Sequence, residues 1–124
     1  MTRFQFFVPL LKDMPIQANR MPRNIGHKIA KINAIQLATI SAWRRTGEPT
    51  IPTPVRCIAS IQRPDNKRYD PNNWAPTTKA MIDALVKTGA LIEDNLHVLQ
   101  GPDHRHHGDG ALGVWLTFKD WETL

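Results

Sequence analysis

Asp70, Asn72, Glu93 and Asp94 are the oxygen-bearing side chains whose spacing suggests chemistry. The chain reads Arg-Tyr-Asp-Pro-Asn-Asn-Trp over residues 68–74 and Gly-Ala-Leu-Ile-Glu-Asp over residues 89–94, with an amphipathic stretch between them. Oxygen ligands before and after one helix, next to many arginines, suit a hard cation held against a phosphate backbone. Phosphodiester hydrolysis needs that arrangement, because water is a poor nucleophile and the attacked centre is already anionic. A divalent metal lowers the pKa of its bound water and neutralises charge developing at phosphorus. Mg²⁺ keeps several waters and needs only one or two protein carboxylates. Asp70 and Asp94 fit that requirement if the intervening helix folds its two ends toward one sheet edge. Lys79 lies on the same helix, away from apolar Met81, Ile82 and Leu85, and can stabilise the phosphate or the leaving oxygen. The same residues also read as ordinary structure: Asp-Pro-Asn-Asn as a turn with a helix cap, and Glu-Asp-Asn as a polar loop.

The elements that must position these residues are legible from periodicity. Residues 2–8 alternate, with Phe4, Phe6 and Val8 on one face of a strand. Residues 10–24 have no period and read as a long loop carrying Lys12, Arg20 and Arg23. Residues 25–45 have helical spacing, with Ile25, Ile29, Ile32, Ile40 and Trp43 on one face, Asn24 as cap and Gly47 as stop. Asn33 and Gln36 interrupt this stripe, which admits either a hydrogen-bonded core position or contact with a second subunit. Residues 55–62 alternate as a second strand. The second helix is predicted over residues 73–87, because Pro76 is tolerated only in a first turn, with Asn72 or Asn73 as cap. A short strand is predicted over 96–99, a His-rich turn over 102–110, and a strand over 112–119 with Leu112, Val114, Leu116 and Phe118 inward. The order is β-α-β-α-β-β: an α+β fold with a mixed sheet of about four strands and two helices, the last two strands forming a hairpin.

One domain spanning residues 1–124 suits the length. The single cysteine, Cys57, sits in a strand and reads as a small buried apolar residue, in keeping with a reducing compartment. No apolar run is long enough to cross a bilayer, and the first residues lack the ordered regions of a signal peptide, so a cytoplasmic protein without membrane contact is expected. The net charge of +5 is unevenly spread. Residues 1–68 hold twelve Lys and Arg against three Asp and Glu, a local charge of +9, whereas residues 69–124 hold four against eight, a charge of −4. A basic surface attracts polyanions, and Arg20, Arg23, Lys28, Lys31, Arg63, Lys67 and Arg68 are candidate contacts to DNA phosphates. The alternative is a solvated basic face.

The central motif resembles the RusA family of Holliday junction resolvases. The resemblance rests on Asp70-Pro71-Asn72-Asn73, Lys79, Ala84-Leu85, Gly89 and Glu93-Asp94, and the element order extends it loosely along the chain. It implies a Mg²⁺-dependent endonuclease, with Mn²⁺ as a possible substitute, that acts as a homodimer on branched double-stranded DNA. By position, Asp70 and Asp94 match metal-binding aspartates, Glu93 the adjacent acidic position, and Lys79 a functionally important lysine. The chain departs from the family in carrying Asn72 where a second aspartate is typical. An amide oxygen can ligate Mg²⁺ but brings no charge, unless Glu93 or Asp83 compensates. Extra residues around Ala75-Pro76-Thr77 also lengthen the segment before Lys79.

Two further groups invite chemistry. His104, His106 and His107, with His97 nearby, admit a zinc site or a solvated turn that touches phosphates when protonated. Trp74 is placed either to stack on an unpaired base at a branch point or to fill the core.

Overall fold

One-sided alternation in the strands and an apolar stripe on each helix build a sheet and its cover. The computed structural model describes residues 2–65 and 67–121. Strand β1 (Thr2–Pro9) leads through a loop, with a short 3₁₀ turn at Ala18–Arg20, into helix α1 (Ile25–Arg45). Strand β2 (Val55–Arg63) follows, then a 3₁₀ turn (Pro71–Trp74) running into helix α2 (Ala75–Lys87). Strands β3 (Leu99–Asp109) and β4 (Gly113–Asp120) complete the α+β fold in the expected β-α-β-α-β-β order.

The sheet order is β1-β4-β2-β3. Strand β4 runs antiparallel to both β1 and β2, and β3 runs parallel to β2. The expected terminal hairpin does not form. Strand β4 inserts between β1 and β2, and β3 lies at the edge on the far side of β2. Composition explains the exchange. Val114, Leu116 and Phe118 of β4 are fully buried, which suits a central strand. The residues of β3 are mostly polar, and only Leu99 among them is buried. An edge strand also tolerates Pro102, which has no N–H to donate to a ladder. The His-rich segment is therefore strand, not turn, and the strand expected at residues 96–99 starts only at Leu99.

At the start of β3 the backbone needs Gly101. Its φ is +97°, and a Cβ there would sit 2.5 Å from the Cys57 carbonyl oxygen. The β2–β3 register shifts at this point, between Arg56 and Ile58.

Both helices cover one face of the sheet, where Val55, Cys57, Ala59 and Ile61 meet the inward side chains of β1 and β4. Phe118 anchors this layer, with its ring centroid 5.1 Å from Phe4 and 6.3 Å from Phe6. Burial pushes the Cys57 thiol well above its ordinary range, so it is an inert apolar filler.

Helix α1 buries a face that overlaps the expected stripe only in its later turns, where Trp43 is buried and Ile32 packs half-buried against the core. Ile35, Gln36, Thr39, Ala42 and Trp43 are buried, while Ile25 is 75% and Ile29 52% exposed. Polar residues enter this face because each has a partner. Thr39 Oγ1 donates to the Ile35 carbonyl at 2.8 Å, and Gln36 Oε1 accepts from Lys87 Nζ at 2.9 Å. A satisfied polar group is cheap to bury, so apolar spacing alone shows only part of the face.

The start of α2 also differs from expectation. Asp70, and neither asparagine, caps the 3₁₀ turn, its Oδ1 accepting from the Asn72 N–H at 3.0 Å. Pro76 stays within the first turn of α2, where no backbone donor is lost. Trp74 is 2% exposed and belongs to the core, so it offers no stacking platform. Thr77 ties the long first loop to this helix: its hydroxyl donates to the Ile16 carbonyl and accepts from the Ile16 N–H, both at 2.8 Å.

Candidate functional site

The parallel crossover from β2 through α2 to β3 decides which chemical groups meet. Parallel neighbours require such a crossover. Here it sets the solvent-facing edge of α2 against the inward-facing side chains of β3. A cleft of about 270 Å³ opens between them, lined by Thr78, Lys79, Asp94 and His104 with apolar Ala75, Ile82, Leu99 and Pro102.

Lys79 is the hub of this cleft. Its Nζ donates to Asp94 Oδ2 at 2.6 Å and to Asp83 Oδ1 at 2.9 Å. Asp83 lies one turn further along α2, while Asp94 arrives on the loop after the helix. That loop is positioned by Gly89, at φ +82°, and by the buried plug Ala90-Leu91, where the Leu91 N–H donates to the Leu85 carbonyl at 3.1 Å. The hydrogen bond from Lys79 holds the Asp94 carboxyl below its usual range. The bonds to Asp94 and then Asp83 hold the Lys79 ammonium above its own. Both groups are thus charged across the neutral range.

His104 forms the opposite wall. Its Nε2 shares a 2.7 Å hydrogen bond with Thr78 Oγ1. Burial lowers the imidazole pKa below its ordinary value, partly opposed by the negative charges of Asp103 and Asp70. The Asp70 carboxylate therefore bears electrostatically on His104 from the 3₁₀ turn, as Asp94 bears on Lys79 from the loop. Of the two aspartates flanking α2, Asp94 lines the cleft and Asp70 lies exposed on the 3₁₀ turn outside its lining.

The other expected residues divide. Asn72 is exposed on the 3₁₀ turn next to Asp70. Glu93 is exposed and accepts from Asn95 Nδ2 at 2.8 Å, outside the cleft lining. Arg20, Arg63, Lys67 and Arg68 gather around a second, larger cleft. Lys28 lines the groove between α1 and α2 instead, with Lys79 and Asp83. Arg23 is exposed on the first loop and lines neither cleft.

The histidines do not form a cluster. Strand geometry sends alternate side chains to opposite faces. His104 faces Thr78, and His106 Nδ1 shares a 2.6 Å hydrogen bond with the Tyr69 hydroxyl. His107 stacks on Trp115 with centroids 5.6 Å apart, and His97 is exposed on the preceding turn. Among the described residues no group of three or more His, Cys, Asp or Glu is arranged to hold a metal. Of the expected oxygen donors, the Asp94 carboxylate lines the first cleft, while the Asp70 carboxylate and the Asn72 amide lie on the 3₁₀ turn outside its lining. By chemistry this set suits a hard cation that retains most of its water, because such a cation asks for few protein ligands. It does not suit zinc.

Thr78 and the inward-facing His104 are not singled out by their spacing. The signal for His104 is period-two alternation along residues 99–109, hidden by glycines and a proline that read as turn, and nothing local marks Thr78. Among the described residues no helix is long and apolar enough to cross a membrane. No protein-family model matches the chain, and no curated protein matches it.

Proposed function

We propose that this protein is a Mg²⁺-dependent endodeoxyribonuclease that cuts phosphodiester bonds in branched DNA, as the RusA-like motif implies, and that it works as a homodimer. The observation that carries the reading is the cleft in which Lys79 joins Asp94 opposite Thr78 and His104, just after the 3₁₀ turn capped by Asp70. Asp70, Asn72 and Asp94 would hold the ion, which supplies charge neutralisation and an activated water. Glu93, next to Asp94 in the chain, adds negative charge on the same loop. Lys79 is placed to meet the non-bridging or leaving oxygen of the scissile phosphate, and its raised pKa keeps it charged for that role. Thr78 orients the His104 ring. Arg20, Arg23, Lys28, Arg63, Lys67 and Arg68 supply contacts to phosphates of the branched DNA, which position it without reading its sequence.

One observation favours a second reading, a junction-binding protein that does not cut. Asn72 brings no charge to the site, and Asp94 is already neutralised by Lys79 at 2.6 Å. A weakly held cation would leave binding without turnover. Labelled four-way junctions with Mg²⁺ separate the two. Paired symmetric nicks support the nuclease, and retention without nicking supports the binder. Asp70→Asn is expected to abolish nicking while leaving junction binding equal or tighter, since one negative charge near phosphate is removed. Nicking at the wild-type rate would reject the role of Asp70.

A further inference from the structure

A larger cleft lies apart from the one containing Asp94. It measures about 460 Å³ and sits between the first loop and the connection from β2 to α2. That volume is within the range of pockets that take a small ligand, about 300–1,000 Å³. Lys12, Arg20, Arg63, Lys67 and Arg68 line it, together with Tyr69 and one acid, Asp65. Asp65 is already committed: its Oδ1 accepts from Arg63 at 3.2 Å and from the Lys67 backbone N–H at 3.0 Å. Among the described residues Lys12, Arg20, Lys67 and Arg68 form no ion pair. Like charges repel, so four uncompensated cations around one concavity raise the energy of the empty protein and lower it when an anion enters.

The walls are fixed. The Thr77–Ile16 pair of hydrogen bonds pins the first loop, and Tyr69 is braced by the Arg63 guanidinium 4.2 Å from its ring centroid and by His106. Tyr69 thus stands as an aromatic wall next to cations. Cations that track a backbone, combined with an aromatic surface, are how proteins hold single-stranded nucleic acid. A concave site of this size admits one nucleotide, whereas the backbone of an intact duplex approaches best over an open surface.

We propose that this cleft seats a phosphate-bearing nucleotide of an unpaired strand, next to the branch at which the first cleft would cut. The identity of the strand rests on the nuclease reading, but the anion affinity of the cleft does not. The phosphate can come from a 5′ end or from within a strand.

Binding is best measured without divalent metal, so that cleavage plays no part. The probes are a fluorescent oligothymidylate with and without a 5′-phosphate, and a duplex of equal length. The reporter is the indole N–H signal of Trp74 in ¹⁵N-labelled protein. Trp74 lines the adjoining cavity that shares Lys12 and Arg63, and its buried Nε1 has no hydrogen-bond partner among the described residues. The single strand should bind at least tenfold more tightly than the duplex at low salt and shift the Trp74 signal. The double substitution Arg20→Gln, Lys67→Gln removes two exposed side chains that form no ion pair among the described residues, so its melting temperature should match wild type. It should weaken single-strand binding at least tenfold and flatten the salt dependence by about 0.7 for each phosphate that is no longer neutralised. Dependence on the 5′-phosphate identifies a strand end, and independence identifies internal phosphates; both support the cleft. Equal binding of duplex and single strand, wild-type affinity in the double variant, or an unmoved Trp74 signal would overturn it. If single strands bind as described but four-way junctions are never nicked with Mg²⁺, the cleft stands and the nuclease reading fails.

Discussion

Replacing Lys79 with Met separates a catalytic ammonium from a structural one. The substitution keeps the aliphatic stem and removes the charge that bridges Asp83 and Asp94. The structural cost is small. Lys79 is 63% exposed and its partners 39% and 34%, and exposed ion pairs are each worth about 0.2–1 kcal/mol. The two pairs share one ammonium, so the loss should stay near about 1 kcal/mol, or about 3–5 °C in melting temperature for a domain of this size. The acid limb of stability should change as well. Asp94 is held below its ordinary 3.8, chiefly by Lys79, so the pair contributes fully above that value and is lost as pH falls through the lowered pKa. Without Lys79 the Asp94 carboxyl moves back up and that acid-linked loss shrinks. The catalytic cost should be far larger. A donor preorganised at developing charge is worth about 10²–10³ in rate, or about 2.7–4 kcal/mol. Single-turnover cleavage of a labelled four-way junction, alongside thermal melts of both proteins, gives the two numbers. Cleavage within threefold of wild type, with the small melting shift as expected, would show Lys79 to be a surface strut and refute its catalytic assignment.

Three other outcomes follow from the same geometry. Asn72→Asp should lower the Mg²⁺ concentration needed for half-maximal cleavage, and an unchanged requirement would show that residue 72 is no ligand. By NMR, His104 should titrate below the ordinary 6.5, because its burial outweighs the charges of Asp103 and Asp70. Its contribution to stability is present above 6.5 and lost as pH falls through the lowered pKa, and Asp70→Asn should lower the midpoint further; no movement would place Asp70 too far from His104 to share a site. Gly101→Ala should destabilise the fold by about 1–3 kcal/mol in urea titration, because a Cβ meets the Cys57 carbonyl at 2.5 Å and φ is +97°; a loss under about 0.5 kcal/mol, on the order of a surface substitution, would contradict the described backbone there.

Periodicity exposes the elements whose burial is one-sided. Strands β1, β2 and β4 alternate cleanly because one face meets the helices, and α2 shows its apolar stripe for the same reason. Strand pairing is not legible in the same way, since β3 and β4 are adjacent in sequence yet separated in the sheet by β2. What sorts them is the contrast between polar β3 and apolar β4, a property of neither strand alone. Apolar spacing catches Trp43 and Ile32 of the buried face of α1 but not Gln36 and Thr39, which gain partners, Lys87 and the Ile35 carbonyl, that no local pattern announces. At the site, the meeting of Lys79 with Asp94 is foreseeable from the residues around α2. The facing His104 is not, because a histidine among glycines and a proline carries the signature of a turn. Asp70 reads as a candidate ligand, whereas the task the structure shows, capping the turn that starts at Pro71, follows from its position before a proline.

Crystals grown or soaked with Mn²⁺ and measured for anomalous scattering test most directly whether the aspartates on either side of α2 share one ion. A peak bound by oxygens of both Asp70 and Asp94, lost in Asp70→Asn, is the result expected. Density at neither residue, at Mn²⁺ concentrations that saturate junction cleavage, would contradict it.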